Sequence, residues 1–342
     1  MKPDVNDGKP RTAARNVRLF IILTGLVVAM MLVSLNSGLI RLDPLEVIRT
    51  LLGGGTKESA IVLYDIRLPR IVLSVLVGAG FAVAGSILQG VSQNALADPG
   101  ILGINAGAGL AVVLYIVLFY GKIQYAPVFA LPLAAFLGAA AAAAFVFILA
   151  YKQGKISPVR LVLVGIAAGA GISAAMLFLT YRMNAYNYEF VKIWLSGSVW
   201  GTNWSYVLAA LAWVAVLVPY AIFKAGRLNL LNLGEEVAAG IGVGVQRERL
   251  KLMTAAVGLA GSCVAVAGSI GFVGLLGPHI ARRVAGANYR LALPASAFIG
   301  SILVLAADTI GRIIVQPVEI PAGIVVAGVG APYFLYLLLK QK

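Results

Sequence analysis

The chain alternates long apolar runs with short polar gaps. An α-helix needs roughly 20 apolar residues to cross the hydrocarbon of a bilayer. Nine runs of that kind are present, at 19–36, 70–92, 100–120, 126–150, 160–181, 204–223, 251–269, 292–315 and 321–339. A tenth segment, 271–280 (GFVGLLGPHI), lies between the run ending near Ser269 and the pair Arg282-Arg283. Ten helical residues rise about 15 Å, half the hydrocarbon thickness. This segment is therefore expected as an irregular span, extended toward Ala285 and turned back on its predecessor by Gly268-Ser269-Ile270-Gly271. The predicted fold class is an all-α polytopic membrane protein of about ten transmembrane helices.

The gaps define the remaining organisation. Residues 1–18 read as an N-terminal tail and 19–342 as a single transmembrane domain, with an outer loop at 37–67 and an inner loop at 224–251. The basic start (Lys2, Lys9, Arg11, Arg15, Arg18) before an apolar run is also how a secretory signal begins, but no small-x-small cleavage site closes the run. It reads as a first span. In the outer loop, Asp43-Pro44 followed by Leu45, Val47, Ile48, Leu51 and Leu52 predicts a short capped helix. No segment is large enough for a soluble catalytic domain, so energy must come from another chain or an ion gradient.

Composition removes the soluble alternatives. Of 342 residues 61% are hydrophobic and 12% charged, with mean hydropathy +0.95, against roughly 25% charged in soluble domains. The net charge of +14 would suggest nucleic acid if the cations clustered on one folded face. Instead they sit at the ends of the apolar runs. With ten spans and the N-terminus inside, 18 of 27 cations fall on inner segments and nine on outer ones. That bias places both termini in the cytoplasm and accounts for the positive charge without nucleic acid.

Few residues are available for chemistry. One cysteine, Cys263, and one histidine, His279, exclude an internal disulfide and argue against a protein-built zinc site. Asp308 lies within an apolar run, where an ionisable group is costly and takes a partner. Arg312, four residues on, makes an i,i+4 structural pair with it, while a proton-relay role is the alternative. Arg67 and Arg70 share a helical face at the outer start of the second span, with Pro69 suited to a first turn; by themselves they read as interface anchors. Gly103-x-x-x-Gly107, Gly165-x-x-x-Gly169 and Gly138 before Ala139 offer close helix crossings. In the inner loop, Gly234 followed by Glu235-Glu236 reads as a turn and the acidic first turn of a short helix. The small residues Ala238, Ala239 and Gly240 follow. Such a helix can seat in a groove of a partner or serve as a plain connector.

An ordered set of segments extends these readings. It comprises Arg67-Leu68-Pro69-Arg70, Gly85-Ser86-Ile87-Leu88-Gln89-Gly90 and Asn94-Ala95-Leu96-Ala97-Asp98-Pro99-Gly100-Ile101-Leu102-Gly103. Leu233-Gly234-Glu235-Glu236, the stretch from Gly271 through Pro278-His279 to Arg282, Ala307-Asp308 and Glu319-Ile320-Pro321-Ala322-Gly323 follow. In this order the chain resembles the FecCD-type permeases, membrane subunits of binding-protein-dependent, ATP-driven importers of ferric siderophores, haem and cobalamin. The resemblance implies ten helices per subunit with an inverted repeat of spans 2–5 and 7–10. It also implies a second permease subunit, two ATPase subunits beneath, and an extracytoplasmic substrate-binding protein above. It assigns Leu233 to Val243 as the ATPase-coupling helix, with Leu233, Gly234, Glu235, Glu236, Ala238, Ala239 and Gly240 as its site. Its glycine comes earlier than in the Glu-Ala-Ala-x-x-x-Gly pattern of other importers. By the same resemblance Arg67, Arg70 and Arg312 dock glutamates of the binding protein, and His279 belongs to a hydrogen-bonded turn at the inner end of the irregular span.

The expected function is a permease subunit moving an iron chelate across the bacterial cytoplasmic membrane, with haem or cobalamin as the alternative cargo. No catalytic residue, cofactor or metal is expected on this chain; ATP and magnesium would sit on the ATPase. An ion-coupled carrier would need intramembrane carboxylates, of which Asp308 stands alone mid-span. An intramembrane enzyme would need a nucleophile and base that a single histidine does not supply.

Overall fold

The computed structural model describes residues 9–38, 43–119, 128–152 and 155–340. Fifteen helices follow in order. They are α1 (Lys9–Asn36), α2 (Pro44–Leu51), α3 (Lys57–Ala60), α4 (Leu68–Ser92), α5 (Ile104–Phe119), α6 (Ala130–Ala150), α7 (Pro158–Thr180) and α8 (Ala185–Leu195). Then come α9 (Trp204–Phe223), α10 (Ala225–Leu231), α11 (Glu235–Gly240), α12 (Val245–Ala267), α13 (Val273–Ala285), α14 (Tyr289–Ile314) and α15 (Ala322–Lys340). A two-residue antiparallel ladder, Tyr151–Lys152 with Lys155–Ile156, closes the α6–α7 turn. Among the described residues seven helices are long and apolar enough to cross a membrane; α5, α15 and the 13-residue α13 are shorter.

Helix ends depart from the apolar runs where the membrane boundary is not a helix boundary. Helix α1 starts at Lys9, so residues 9–18 of the expected tail are helical; Pro10 stands in the first turn, where its missing N–H costs nothing. Residues 1–8 lie outside the described residues. Helix α12 likewise begins at Val245, six residues before its apolar run. The second half of the expected outer loop is helical too: α3 runs through a π-wound stretch, Ile61–Arg67, straight into α4. Pro69 therefore follows existing helix rather than opening one, and the wider winding before it accommodates the hydrogen bond that proline cannot make.

Helix α4 is the centre. Its face from Leu73 to Val91 is buried almost throughout, against α9, α12, α13 and α14. In lipid no hydrophobic force joins apolar helices, so close packing of small residues must. A Cβ at Gly85 would stand 1.9 Å from the Gly274 carbonyl oxygen of α13, so backbone meets backbone there. Gly78 meets Gly300 of α14, and Gly107 meets Gly138, in the same way. Gly165 abuts the Ile101 carbonyl, whereas Gly169 faces open space.

The α12–α13 connection explains the short tenth segment. Gly268 has φ +67° and packs on the Trp194 carbonyl, and Ser198 N–H donates to the Ala267 carbonyl at 2.8 Å. Gly323 N–H donates to the Gly197 carbonyl at 2.9 Å. Non-helical backbone survives at membrane depth only when protein satisfies it, and these three connectors satisfy one another. Beside them Gln89 Nε2 bridges the Ala97 and Gly274 carbonyls, both at 3.2 Å. Asp98 caps the 3-10 turn Pro99–Leu102 through Gly100 N–H at 2.8 Å.

Candidate functional sites at the two faces

The charge bias sets the sense of outer and inner. At the outer end, the start of α4, the end of α14 and the end of α1 converge. Arg70 grips Asp308 in a fork, with Nη2 at 2.7 Å from Oδ1 and Nε at 2.9 and 3.1 Å from the two carboxylate oxygens. Arg312 Nε stands 3.3 Å from Asp308 Oδ2, the i,i+4 contact. The other side of Arg70 meets Glu319, from the loop between α14 and α15, at 2.8 Å. Arg67 donates to the Leu35 carbonyl, and Arg312 to the Ser37 carbonyl at 3.1 Å and to Ser34 Oγ. Three guanidiniums against two carboxylates leave one formal positive charge in this cluster. The carbonyls at the C-terminus of α1, the negative end of that helix, accept it.

The arginines are thus not an open rim. Arg67, Arg70 and Arg312 are all buried within the chain, as is Asp308, 2% exposed. Glu319 is the accessible member, its side chain 37% exposed. Sequence spacing pointed Asp308 only at Arg312; its tighter partner, Arg70, is 238 residues away.

At the inner face α11 spans Glu235–Gly240, shorter than the 233–243 expected, between Gly234 (φ +106°) and Gly242 (φ +79°). Its two faces differ. Ala238 and Val243 are buried, so Ala238 packs into the chain rather than presenting to a partner. Leu233, Glu236, Val237, Ala239, Gly240 and Ile241 are exposed. Val237 and Ile241, which the sequence reading passed over, put a hydrophobic ridge beside Glu236. Glu235 turns back on α12, accepting from Gln246 Nε2 at 3.2 Å with Arg249 Nη2 at 3.6 Å. The connection to the membrane part runs through α10, whose Leu231 carbonyl accepts from Gln93 Nε2 at 2.7 Å.

His279 corrects an expectation. It lies inside helix α13, not in a turn, with its ring edge against Tyr333 at 5.8 Å. Its Nε2 is buried without a hydrogen-bond partner among the described residues. Cys263 is buried against Gly80. Among the described residues no group of three His, Cys, Asp or Glu side chains is placed to hold a metal.

A multi-pass bundle with a buried charged cluster at its outer end and a short exposed helix at its inner face has the build of a membrane transport subunit. Residues 24–340 match the FecCD transport family, and the chain belongs to it. It is 48% identical over 320 residues to the iron(3+)-hydroxamate import system permease protein FhuG of Bacillus subtilis, covering 93% of this chain and 95% of that one. It is 44% identical to the Fe(3+)-citrate import system permease protein YfmE of the same organism, over 96% of both chains. A solved chain described as an inward-facing conformation of a metal-chelate type ABC transporter superposes with TM-score 0.81 at 29% identity, over 95% of this chain and 99% of that one. The protein is a multi-pass permease of the cytoplasmic membrane.

Proposed function

We propose that this chain forms the translocation path of a binding-protein-dependent, ATP-driven importer for a ferric siderophore. The observation that carries this reading is α11: a short helix exposing Glu236 beside Val237 and Ile241, held to α12 by its neighbour Glu235. That surface fits a groove on an ATPase, where the power stroke is delivered; ATP and magnesium belong to that partner, and this chain carries no cofactor. The identity to a hydroxamate permease favours ferric hydroxamates as first cargo. Gly169 and Gly171, with nothing packed on them along the exposed α7, suit close approach by a second permease subunit.

At the outer face the substrate-binding protein presents carboxylates to the arginine cluster. An incoming carboxylate reaches Arg70 by displacing Glu319, because Asp308 is too deeply held to leave. Reconstitution with the ATPase pair and the binding protein tests the reading. ATP-dependent uptake of a labelled ferric hydroxamate, with citrate and haem as comparison cargoes, is the expected result. Uptake that ignores ATP but collapses with the proton or sodium gradient would overturn it.

A further inference from the structure

The inner ends of α9, α10 and α14 border an open cavity of about 550 Å³ that neither α11 nor the outer cluster uses. Its charged and polar walls are Lys224, Arg227, Asn229, Asn288 and Arg290, and Phe223 stands at its edge. Among the described residues no acidic one lines it. Lys224 is already committed to Glu248 at 3.0 Å, so the charge it presents comes from Arg227 and Arg290, both exposed.

The frame of the cavity is fixed by hydrogen bonds between its side-chain amides and the start of α14. Asn229 Nδ2 donates to Asn288 Oδ1 at 2.9 Å, and Asn229 Oδ1 accepts from Tyr289 N–H at 2.9 Å. Asn288 Oδ1 also accepts from Arg290 N–H at 3.0 Å. Both amide oxygens take part in these bonds, and the charged groups left toward the cavity are cations. The N-terminus of the 26-residue α14 adds its positive end. Gly226 leaves room on α10: a Cβ there would stand 3.8 Å from Arg290 Nη2. The site is built for an anion.

Its apolar border says which anion. Phe223 is exposed, and at steps of eight and seven residues it continues the exposed stripe Leu208 and Val216 on one face of α9. The cavity therefore lies at the inner end of an exposed apolar stripe, at the depth where headgroups lie and on the side the cations assign to the cytoplasm. Basic pockets between helices at that leaflet recognise anionic headgroups.

We propose that this cavity seats the phosphate of an anionic phospholipid of the inner leaflet, gripped by Arg227 and Arg290, with an acyl chain along Phe223, Val216 and Leu208. The proposal does not depend on the cargo or on the coupling role of α11.

Native mass spectrometry of the full-length chain, alone and assembled with its ATPase, tests it with phosphatidylglycerol and phosphatidylcholine. Phosphatidylglycerol adducts should survive assembly and weaken about 30-fold in Arg227→Gln with Arg290→Gln, if each cation is worth about 1 kcal/mol. Phosphatidylcholine adducts should not change. Gly226→Leu, which keeps both charges and intrudes between α10 and Arg290, should weaken phosphatidylglycerol as well. Equal binding of the two lipids, or retention in both variants, would overturn the proposal. Competition by inorganic phosphate alone as effective as by the lipid would make this a free-anion site. Loss of the adduct on adding the ATPase would assign the cavity to the protein interface.

Discussion

Asp308→Asn is the sharpest test of the outer cluster. The substitution keeps the shape and removes one charge from between two buried guanidiniums. At about 4 Å between charge centres and an effective dielectric of 20, each lost attraction is about 4 kcal/mol. Part of that returns, because an unpaired arginine draws in water and Glu319 still faces Arg70 at 2.8 Å. Breaking a buried pair by removing one partner costs about 3–5 kcal/mol net, and the same loss is expected here. Unfolding of the micellar protein by a denaturing detergent, followed by tryptophan fluorescence, measures it. The loss should change little between low and high salt, since buried pairs are poorly screened. In an Arg70→Gln background the Asp308→Asn penalty should shrink by about 1–3 kcal/mol, the coupling expected of groups in one network. A penalty below 1 kcal/mol, or one unaltered in that background, would refute the view that this cluster ties α4 to α14.

Four further outcomes are expected. Glu236→Arg should abolish ATP-driven uptake while the chain still inserts, and should do so more completely than Glu235→Gln, which only releases α11 from α12; normal uptake in Glu236→Arg would remove α11 from the coupling interface. Glu319→Gln should strengthen capture of the binding protein several-fold at low salt, read by surface-immobilised titration; weaker capture would mean that Glu319 is itself a docking group. Gly85→Ala should prevent stable folding, because its Cβ would overlap the Gly274 carbonyl, whereas Gly169→Ala should leave the fold intact or gain up to about 1 kcal/mol; thermal unfolding distinguishes them. Gln93→Ala with Asn229→Ala should keep ATPase binding but lower the ATPase stimulation that docked binding protein produces; unchanged stimulation would show that the contacts of α10 do not transmit.

What the sequence made legible follows from the physics of its medium. A bilayer demands about 20 apolar residues per crossing, so most spans could be marked by counting, and the Asp43-Pro44 cap announced α2. Helix starts were misplaced where the helix simply outruns the hydrocarbon, as at Lys9 and Val245. Helix α8 (Ala185–Leu195) escaped notice because Tyr, Asn, Glu and Lys break its apolar pattern, although Asn184 carries the cap, accepting from Asn187 N–H at 2.8 Å. The Arg70–Asp308 fork was out of reach of local spacing. A depth argument would have found it: Asp308 is six residues from the end of α14 and Arg70 is in the first turn of α4, so antiparallel neighbours put them at one level. Ala238 was misjudged because a small residue on a short helix suits an outer contact and an inner one equally, and only the folded packing of the inner loop decides.

The two functional ends are joined by the same two helices. Helix α4 carries Arg70 in its first turn, directly after Arg67, and, just past Ser92 at the other end, Gln93, whose amide holds the Leu231 carbonyl of α10. Helix α14 carries Asp308 and Arg312 at its outer end and begins at Tyr289, whose N–H is held by Asn229 of α10. Between these ends the helices touch backbone to backbone at Gly78 and Gly300, and Ser301 Oγ donates to the Val75 carbonyl at 2.8 Å. Such contacts resist sliding, because any shift along either axis drives a carbonyl into a Cα. Under the proposed function, a change in the outer charges would move the pair as a unit, and α10 is the first element that unit would meet before α11. On that reading the outer cluster needs no chain of small adjustments to reach the surface proposed for the ATPase; it needs only one stiff pair of helices with a charged lock at one end and an amide grip on the loop that carries α11 at the other.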